Sequence, residues 1–483
     1  MGIDAVKRVK QVEDMQEKNK NRELISGTVI YAIGGFGTKI LSFLFVPLYT
    51  YYILPAEMGV YDLIITTVSL LTPVVTIQIG DAAYRWLIGE EGRREDYLGV
   101  AYKLLFWHIA VIAIVLFVIE QFTEYPYVGY FFFILTGSAV FNTVQKMLRG
   151  VKNQKLFAGS GIVYTAVFLA LNMIQICFMG RGMEGMLLSS AAAYWAGTFA
   201  ALLGEKGVRY FPGKELFCRR QIEKEMIRFA LPLIPNQLSW WVVNWSDRYI
   251  VKTFLGNEWN GIYSISYKFP TVLQSVLSLF TNSWQDVSIA DKEENQGSYY
   301  SQVFDQYSVL VFSLVLMAIP ISKLYVHLFM SKQYQASADY IAFLYLGSAF
   351  QSFAAYFGAG YLKSGNTRGA SMTSIYGALV NIAVNLLLIH SWGLQAAAFS
   401  TFLGFLVMWI VRVKQTKKSL EISLNYKRLG IYGGTAFAYA VLACVSGTIP
   451  DIVMFIFAIM IFIFANREMI KGFGNMMKKR MKN

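Results

Sequence analysis

Charged side chains lie inside two long apolar stretches in the middle of the chain. Residues 229–286 read FALPLIPNQLSWWVVNWSDRYIVKTFLGNEWNGIYSISYKFPTVLQSVLSLFTNSWQD, with Asp247 and Arg248 in the first stretch and Lys268 in the second. An ionisable group at membrane depth costs about 2.5–3.5 kcal/mol to insert, so such groups usually face water or a partner. Arginine binds phosphate oxygens through paired hydrogen bonds and lysine neutralises them, so these residues could bind an anionic headgroup.

Polar residues follow the helical period in both stretches. One face of the first stretch collects Gln237, Trp241, Asn244, Arg248 and Lys252, and one face of the second collects Ser264, Lys268, Thr271, Ser275, Ser278, Asn282 and Asp286. Such stripes are expected in helices that line an aqueous chamber. Hydrogen bonding between helices in a dry bundle is the alternative for the hydroxyls and amides, but it does not account for the Arg and Lys.

The first part of the chain carries matching candidates. Lys39 lies inside the first apolar stretch, and the second stretch has a polar stripe that contains Asp62, Thr66, Ser69, Thr72, Thr76 and Gly80. Asp81 and Arg85 follow at i and i+4, which predicts an ion pair near the cytosolic end. Asp247 and Arg248 are sequence neighbours, so we expect them not to face each other. Lys252 and Lys323, near helix ends, are predicted to snorkel.

These patterns predict one binding site that contains both basic and acidic side chains. We predict that a cationic lining for an anionic substrate is formed by Lys39, Arg85, Arg248 and Lys268. Candidates for ion pairing or for coupling to a cation are Asp62, Asp81 and Asp247. The three cysteines and three histidines have neither disulfide nor metal-ligand spacing, so no metal site is expected.

Transmembrane helices must position these residues. The 483 residues are 55% hydrophobic and 15% charged, with a mean hydropathy of +0.44, which predicts an all-α polytopic membrane protein. About fourteen spans are expected, at 25–50, 59–81, 101–120, 127–146, 156–178, 183–204, 228–254, 261–288, 303–330, 338–362, 369–390, 393–412, 428–448 and 451–467. The net charge of +13 does not indicate nucleic-acid binding, because the basic residues concentrate in alternate loops.

The positive-inside rule places both termini in the cytoplasm. The predicted organisation is a cytosolic segment 1–24, an N-lobe 25–204, a cytosolic loop 205–227, a C-lobe 228–412, a cytosolic loop 413–427, two further helices within 428–467 and a basic tail 468–483.

The two lobes contain similar stretches of sequence. The alignment pairs TYYILPAEMGVYDLI (50–64) with VKTFLGNEWNGIYSI (251–265) and superposes Gly59 on Gly261. A six-helix repeat keeps both halves in one orientation and predicts two pseudo-symmetric lobes around a central cavity.

Two stretches of sequence carry a family resemblance: FLFVPLYTYYILPAEMGVYDLI (43–64) and ALPLIP…SDRYIVKTFLGNEWNGIYSISYK (230–268). With the predicted architecture, they resemble the polysaccharide transporter branch of the MOP exporter superfamily, to which MATE transporters and Wzx-type O-antigen flippases belong. The resemblance covers about residues 20–466. It implies that an undecaprenyl-pyrophosphate-linked oligosaccharide is moved to the outer leaflet by alternating access, for cell-surface polysaccharide biosynthesis in the bacterial cytoplasmic membrane. By position, the basic residues of the family's lumen carry over to Lys39, Arg85, Arg248 and Lys268.

The expected partners are the lipid-linked glycan, the bilayer, and a polysaccharide polymerase or other glycan-assembly proteins. No cofactor and no nucleic acid are expected, and coupling to Na⁺ and to H⁺ are both open. The alternative is a cation-coupled MATE-like exporter of small organic molecules or drugs, which the basic character of the spans disfavours. A glycosyltransferase or polymerase would need larger extramembrane loops than 205–227, so we expect no enzyme activity.

Overall fold

The computed structural model describes residues 42–89, 94–123, 125–204, 219–290, 297–364, 367–444 and 448–467, and these residues form helices without a strand. The helices are α1 (Val46–Tyr52), α2 (Pro55–Val75), α3 (Ile79–Gly89), α4 (Arg94–Phe122), α5 (Val128–Gly150), α6 (Gln154–Asn172), α7 (Gly182–Gly204), α8 (Arg220–Ala230), α9 (Leu233–Trp245), α10 (Asp247–Leu255), α11 (Asn257–Ala290), α12 (Gly297–Phe329), α13 (Ile341–Ser364), α14 (Thr367–Trp392), α15 (Leu394–Leu420), α16 (Tyr426–Ala443) and α17 (Thr448–Ala465). A π-helical turn, Met173–Phe178, extends α6, and a 3₁₀ segment, Lys332–Tyr340, precedes α13.

Within the described ranges, nine helical segments are long and apolar enough to cross a membrane. This confirms the predicted all-α polytopic class, while the count of fourteen spans stays a prediction. The predicted span 25–50 lies largely outside the described residues.

Two predicted spans are interrupted in the structure. The span 59–81 ends as α2 at Val75, because Ile77 and Gln78 have positive φ angles of 46° and 54°, and α3 begins at Ile79. The span 228–254 is divided into the end of α8, all of α9 and all of α10. Pro232 is the second residue after α8, and a proline lacks the N–H group that a continuing helix would need.

The described helices fall into two compact units. The first contains Leu71–Met179 and Glu184–Ile234. Its core is an apolar cluster in which side chains of α3, α4 and α5 bury Met226 and Ala230 of α8. Lys103 of α4 also lies 2.8 Å from Glu223 of α8, so the short amphipathic α8 is fixed to the unit by both apolar and ionic contacts.

The second unit contains Phe43–Leu70, Gly180–Met183 and the chain from Pro235 onward. Within it, α2 and α11 cross at the two glycines that the sequence alignment superposes. A Cβ on Gly59 would lie 1.9 Å from the Asn257 carbonyl oxygen, and a Cβ on Gly261 would lie 1.9 Å from the Pro55 carbonyl oxygen. Pro55 and Asn257 are the first residues of α2 and α11, so the crossing is reciprocal, as expected of two copies of one repeat.

Helices α16 and α17, outside the repeat, are attached to α12 by polar contacts. Lys323 of α12 donates to the Ala443 carbonyl at 2.6 Å and lies 3.1 Å from Asp451 of α17. Its side chain is only 1% exposed. The prediction that Lys323 snorkels is therefore wrong, because its charge is compensated inside the protein by a carboxylate and a helix C-terminus.

Candidate functional site

Four of the predicted charged residues meet in the second unit. Arg248 Nε lies 2.8 Å from Asp62 Oδ2 of α2, and Arg248 Nη1 lies 3.4 Å from Asp247 Oδ1. The Arg248 side chain is 2% exposed, so two carboxylates compensate a fully buried guanidinium. The expectation that Asp247 and Arg248 do not face each other is wrong, because the long Arg248 side chain folds back beside Asp247 at the start of α10.

Aromatic rings enclose the same guanidinium. The Arg248 Cζ atom lies 4.3 Å from the ring centre of Trp245, 4.6 Å from that of Tyr267 and 5.8 Å from that of Tyr263. Cation–π attraction is strongest where water is excluded, so these rings add to the stabilisation from the carboxylates. Arg248 is thus held in one place by α2, α9, α10 and α11.

Lys268 differs from its neighbours on α11 in being exposed. The side chains of Tyr267 and Phe269 on either side are buried, whereas that of Lys268 is accessible. It lies within electrostatic range of Asp62 and Arg248. Of the two cations that the structure brings together, Lys268 is the one that is open to a ligand.

The polar stripe of α2 lies against α9 and α10. Trp241 Nε1 donates to the Thr66 carbonyl at 3.1 Å and to Ser69 Oγ at 3.0 Å. The hydroxyl groups of Tyr249 and Thr67 are 2.6 Å apart. These contacts fix the Asp62 face of α2 next to Arg248.

Asp247 is the centre of a second group of polar side chains. Tyr263 donates a hydrogen bond to its Oδ2, and Thr401 Oγ1 of α15 donates to the same oxygen at 3.2 Å. Asn381 Nδ2 of α14 donates to Thr401 at 3.2 Å. Among the described residues, the carboxamide oxygens of Asn381 and Asn385 are buried without a hydrogen-bond partner.

Two of the remaining predicted residues, Asp81 and Arg85, belong to the first unit. In the first unit, Asp81 forms an ion pair with Lys146 of α5, which approaches closely because Gly80 has no side chain. The predicted Asp81–Arg85 pair is therefore wrong. Arg85 is exposed, with its guanidinium 4.5 Å from the ring centre of Phe229. Lys39 lies outside the described residues.

The sequence analysis missed several polar residues of the second unit. Arg412 of α15, the last residue of the predicted span 393–412, is 3% exposed and donates to Thr373, Ser374 and the Ala354 carbonyl. Asn381 and Asn385 are four residues apart in an apolar span, a spacing that could have identified them. In the part of the chain that the structure describes, no three His, Cys, Asp or Glu side chains are grouped as metal ligands.

The sequence of this chain is similar to those of known proteins. A family model described as "Polysaccharide biosynthesis protein" matches residues 24–284. An uncharacterised membrane protein of Methanocaldococcus jannaschii is 20% identical over 297 residues, which are 58% of this chain and 68% of the relative.

Solved structures that share the fold include a flippase and a multidrug transporter. The lipid II flippase MurJ in an inward closed conformation has a TM-score of 0.66 at 12% identity, covering 92% of this chain and 100% of MurJ. An inward-facing multidrug resistance MATE family transporter of the MOP superfamily has a TM-score of 0.63 at 14% identity, covering 80% of this chain and 94% of the transporter. The fold is therefore of the MurJ and MATE type.

Proposed function

Because this chain belongs to the polysaccharide biosynthesis protein family, we propose that it is a flippase that moves an undecaprenyl-pyrophosphate-linked oligosaccharide from the cytoplasmic to the outer leaflet by alternating access. The protein resides in the bacterial cytoplasmic membrane with both termini in the cytoplasm, and it delivers the glycan to a polymerase or another glycan-assembly protein. The observation that carries the proposal is the group formed by Arg248, Lys268 and Asp62, three charged residues on helices of a transporter fold.

The two cations have different roles in this proposal. Lys268 is accessible and neutralises the pyrophosphate directly. Arg248 is already compensated by Asp62 and Asp247, so a phosphate oxygen binds it by displacing Asp62 from one edge of the guanidinium. Because that exchange replaces one anion by another, the buried cation is compensated in both the empty and the loaded protein.

We also propose that Asp247 couples transport to the entry of a cation, Na⁺ or H⁺. Asp247 is linked through Thr401 to Asn381, whose carboxamide oxygen is unpartnered, and these oxygen atoms are hard donors of the kind that Na⁺ prefers. Protonation of Asp247 is the other way to place one positive charge there. Either event weakens the interaction of Asp247 with Arg248, which links the coupling cation to the substrate site.

A complementation assay tests the proposed function. In cells that lack the gene and therefore lack surface glycan, Lys268→Gln is expected to reduce surface glycan at least 10-fold at equal protein abundance, because the accessible cation is lost. Lys252→Gln is the matched control, since Lys252 is exposed in the last turn of α10 and forms no ion pair with a described residue, and it should restore normal glycan.

Normal surface glycan in the Lys268→Gln strain would contradict the proposed phosphate contact. If deletion of the gene leaves the glycan intact and overexpression confers drug resistance, the chain is a MATE-like exporter instead.

A further inference from the structure

Three carboxamide side chains connect three helices of the second unit. Gln274 of α11 donates from Nε2 to Gln351 Oε1 of α13 at 2.6 Å. Gln351 donates from Nε2 to Asn244 Oδ1 of α9 at 3.1 Å, and Asn244 Nδ2 donates to the Trp240 carbonyl at 2.8 Å. We call Asn244, Gln274 and Gln351 the carboxamide row. Its three groups donate in the same direction, so each bond polarises the next.

The carboxamide row begins beside the charged residues. Arg248 Nη1 donates to the backbone carbonyl of Asn244 at 3.3 Å. On α11, Gln274 follows Lys268 by six residues, which is about 9 Å along the helix axis and about 120° around it, so the row does not reach Lys268 along α11. It adjoins the charged residues at Asn244, whose carbonyl accepts from Arg248, so a group bound at the row lies beside the charged group at that point.

The row retains unused hydrogen-bonding capacity. All three side chains are half-buried, so they are not sealed inside the protein. Gln274 Nε2 donates to Gln351 and to the Ser348 carbonyl, while no described residue donates to Gln274 Oε1. Gln351 Nε2 uses one of its two hydrogens for Asn244. An open acceptor and an open donor are thus adjacent on α11 and α13, and neither carries charge.

We propose that the carboxamide row binds the first sugar of the glycan, the one attached to the pyrophosphate that Lys268 neutralises. Sugar hydroxyl groups both donate and accept, so one hydroxyl donates to Gln274 Oε1 while another accepts from Gln351 Nε2. This inference rests on the proposed function and assigns the sugar and the phosphate to separate groups of residues.

The alternative is that the row only joins helices, as amides do in many membrane bundles. Binding of two lipids distinguishes the two roles: bare undecaprenyl pyrophosphate, and undecaprenyl pyrophosphate that carries a single N-acetylglucosamine. Affinities are measured for the purified full-length protein in nanodiscs. Gln274→Leu and Gln351→Leu are compared with Gln145→Leu, because Gln145 of α5 joins α5 to α6 through Ser160 at 3.0 Å in the first unit.

Gln274→Leu and Gln351→Leu are each expected to weaken binding of the sugar-bearing lipid about 3- to 10-fold and to leave binding of the bare lipid unchanged. Gln145→Leu should change neither affinity. Equal losses for both lipids, or no loss for either, would overturn the assignment. If a leucine variant does not fold, Gln274→Ala is measured instead, since alanine removes the carboxamide without placing a bulkier apolar group there.

Failure of the proposed function gives a different result. In that case the wild-type protein binds neither pyrophosphate lipid more tightly than phosphatidylglycerol, whereas failure of the sugar assignment alone leaves tight binding of both probes.

Discussion

At the residue scale, the buried Arg248 guanidinium depends on Asp62 and Asp247 for charge compensation. Asp62→Asn removes the nearer carboxylate, which lies 2.8 Å from Arg248 Nε. Removing one partner of a buried ion pair costs about 3 kcal/mol or more because the other charge stays buried. We therefore expect a clearly lower thermal unfolding midpoint for the purified variant, together with loss of surface glycan.

Asp305→Asn is the matched control for that measurement. Asp305 also pairs with an arginine, but the side chain of that partner, Arg428, is 39% exposed. An exposed pair contributes about 1 kcal/mol at most, so the unfolding midpoint should hardly change. Equal shifts of the unfolding midpoint in the two variants would mean that the ion pair between Asp62 and buried Arg248 does not contribute more to stability than an exposed pair.

Three charged residues of the candidate site were predicted from the sequence, but the ion-pair partners of several predicted residues were not. The helical period placed Asp62, Arg248 and Lys268 on polar faces, and the structure brings those faces together. It could not assign Lys146 to Asp81 or Asp451 to Lys323, because each pair joins residues that are far apart in the chain. A local i, i+4 rule favoured Arg85 as the partner of Asp81 only because nothing in the sequence indicated the close approach of α5.

At the element scale, the crossing of α2 and α11 depends on the absence of two side chains. Gly59→Ala places a methyl group 1.9 Å from the Asn257 carbonyl oxygen, a separation that forces the helices apart. The shift also breaks the 2.9 Å hydrogen bond from Asn260 Nδ2 to the Gly59 carbonyl. Gly261→Ala has the reciprocal effect at Pro55. We expect each variant to unfold at a lower temperature than wild type and to lose transport.

Gly434→Ala in α16 separates this steric effect from helix propensity. No atom lies within 4 Å of the position that its Cβ would occupy. Alanine is favoured over glycine in a helix by about 1 kcal/mol, so this variant should be as stable as wild type or more stable. Unchanged unfolding midpoints for Gly59→Ala and Gly261→Ala would show that the crossing opens at little cost.

The sequence predicted which segments are helical better than where the helices end. Apolar character continues through the break after Val75 and through residues 231–234, so hydropathy alone extends both spans. Pro232 marks the second break, but proline also occurs inside helices here, as Pro270 of α11 does. Gly59 and Gly261 were superposed by alignment, and the structure supplies the reason for glycine at both positions.

At the scale of the whole molecule, the fold class and the predicted orientation in the membrane follow from different features of the sequence. Apolar runs require helices that cross the membrane, and these determine the all-α class. The distribution of Lys and Arg among the loops predicts which side each loop occupies. No pattern in the sequence indicated the carboxamide row that we propose binds sugar, because Asn244, Gln274 and Gln351 meet only after three helices pack together.

The predicted orientation can be measured at the two ends of α13. Lys332 and Arg368 are both exposed, and the apolar segment Lys332–Tyr361 separates them, so they lie on opposite sides of the membrane. The basic loop that contains Arg368 is predicted to be cytoplasmic. In a variant whose three native cysteines are replaced by serine, Lys332→Cys should react with a membrane-impermeant maleimide in intact cells, whereas Arg368→Cys should react only after permeabilisation.

The control for this measurement is function. Lys332 lies outside the carboxamide row and the charged group, so the Lys332→Cys variant should still restore surface glycan. The reverse labelling pattern would place both termini outside the cytoplasm and would invert the proposed direction of entry of the substrate.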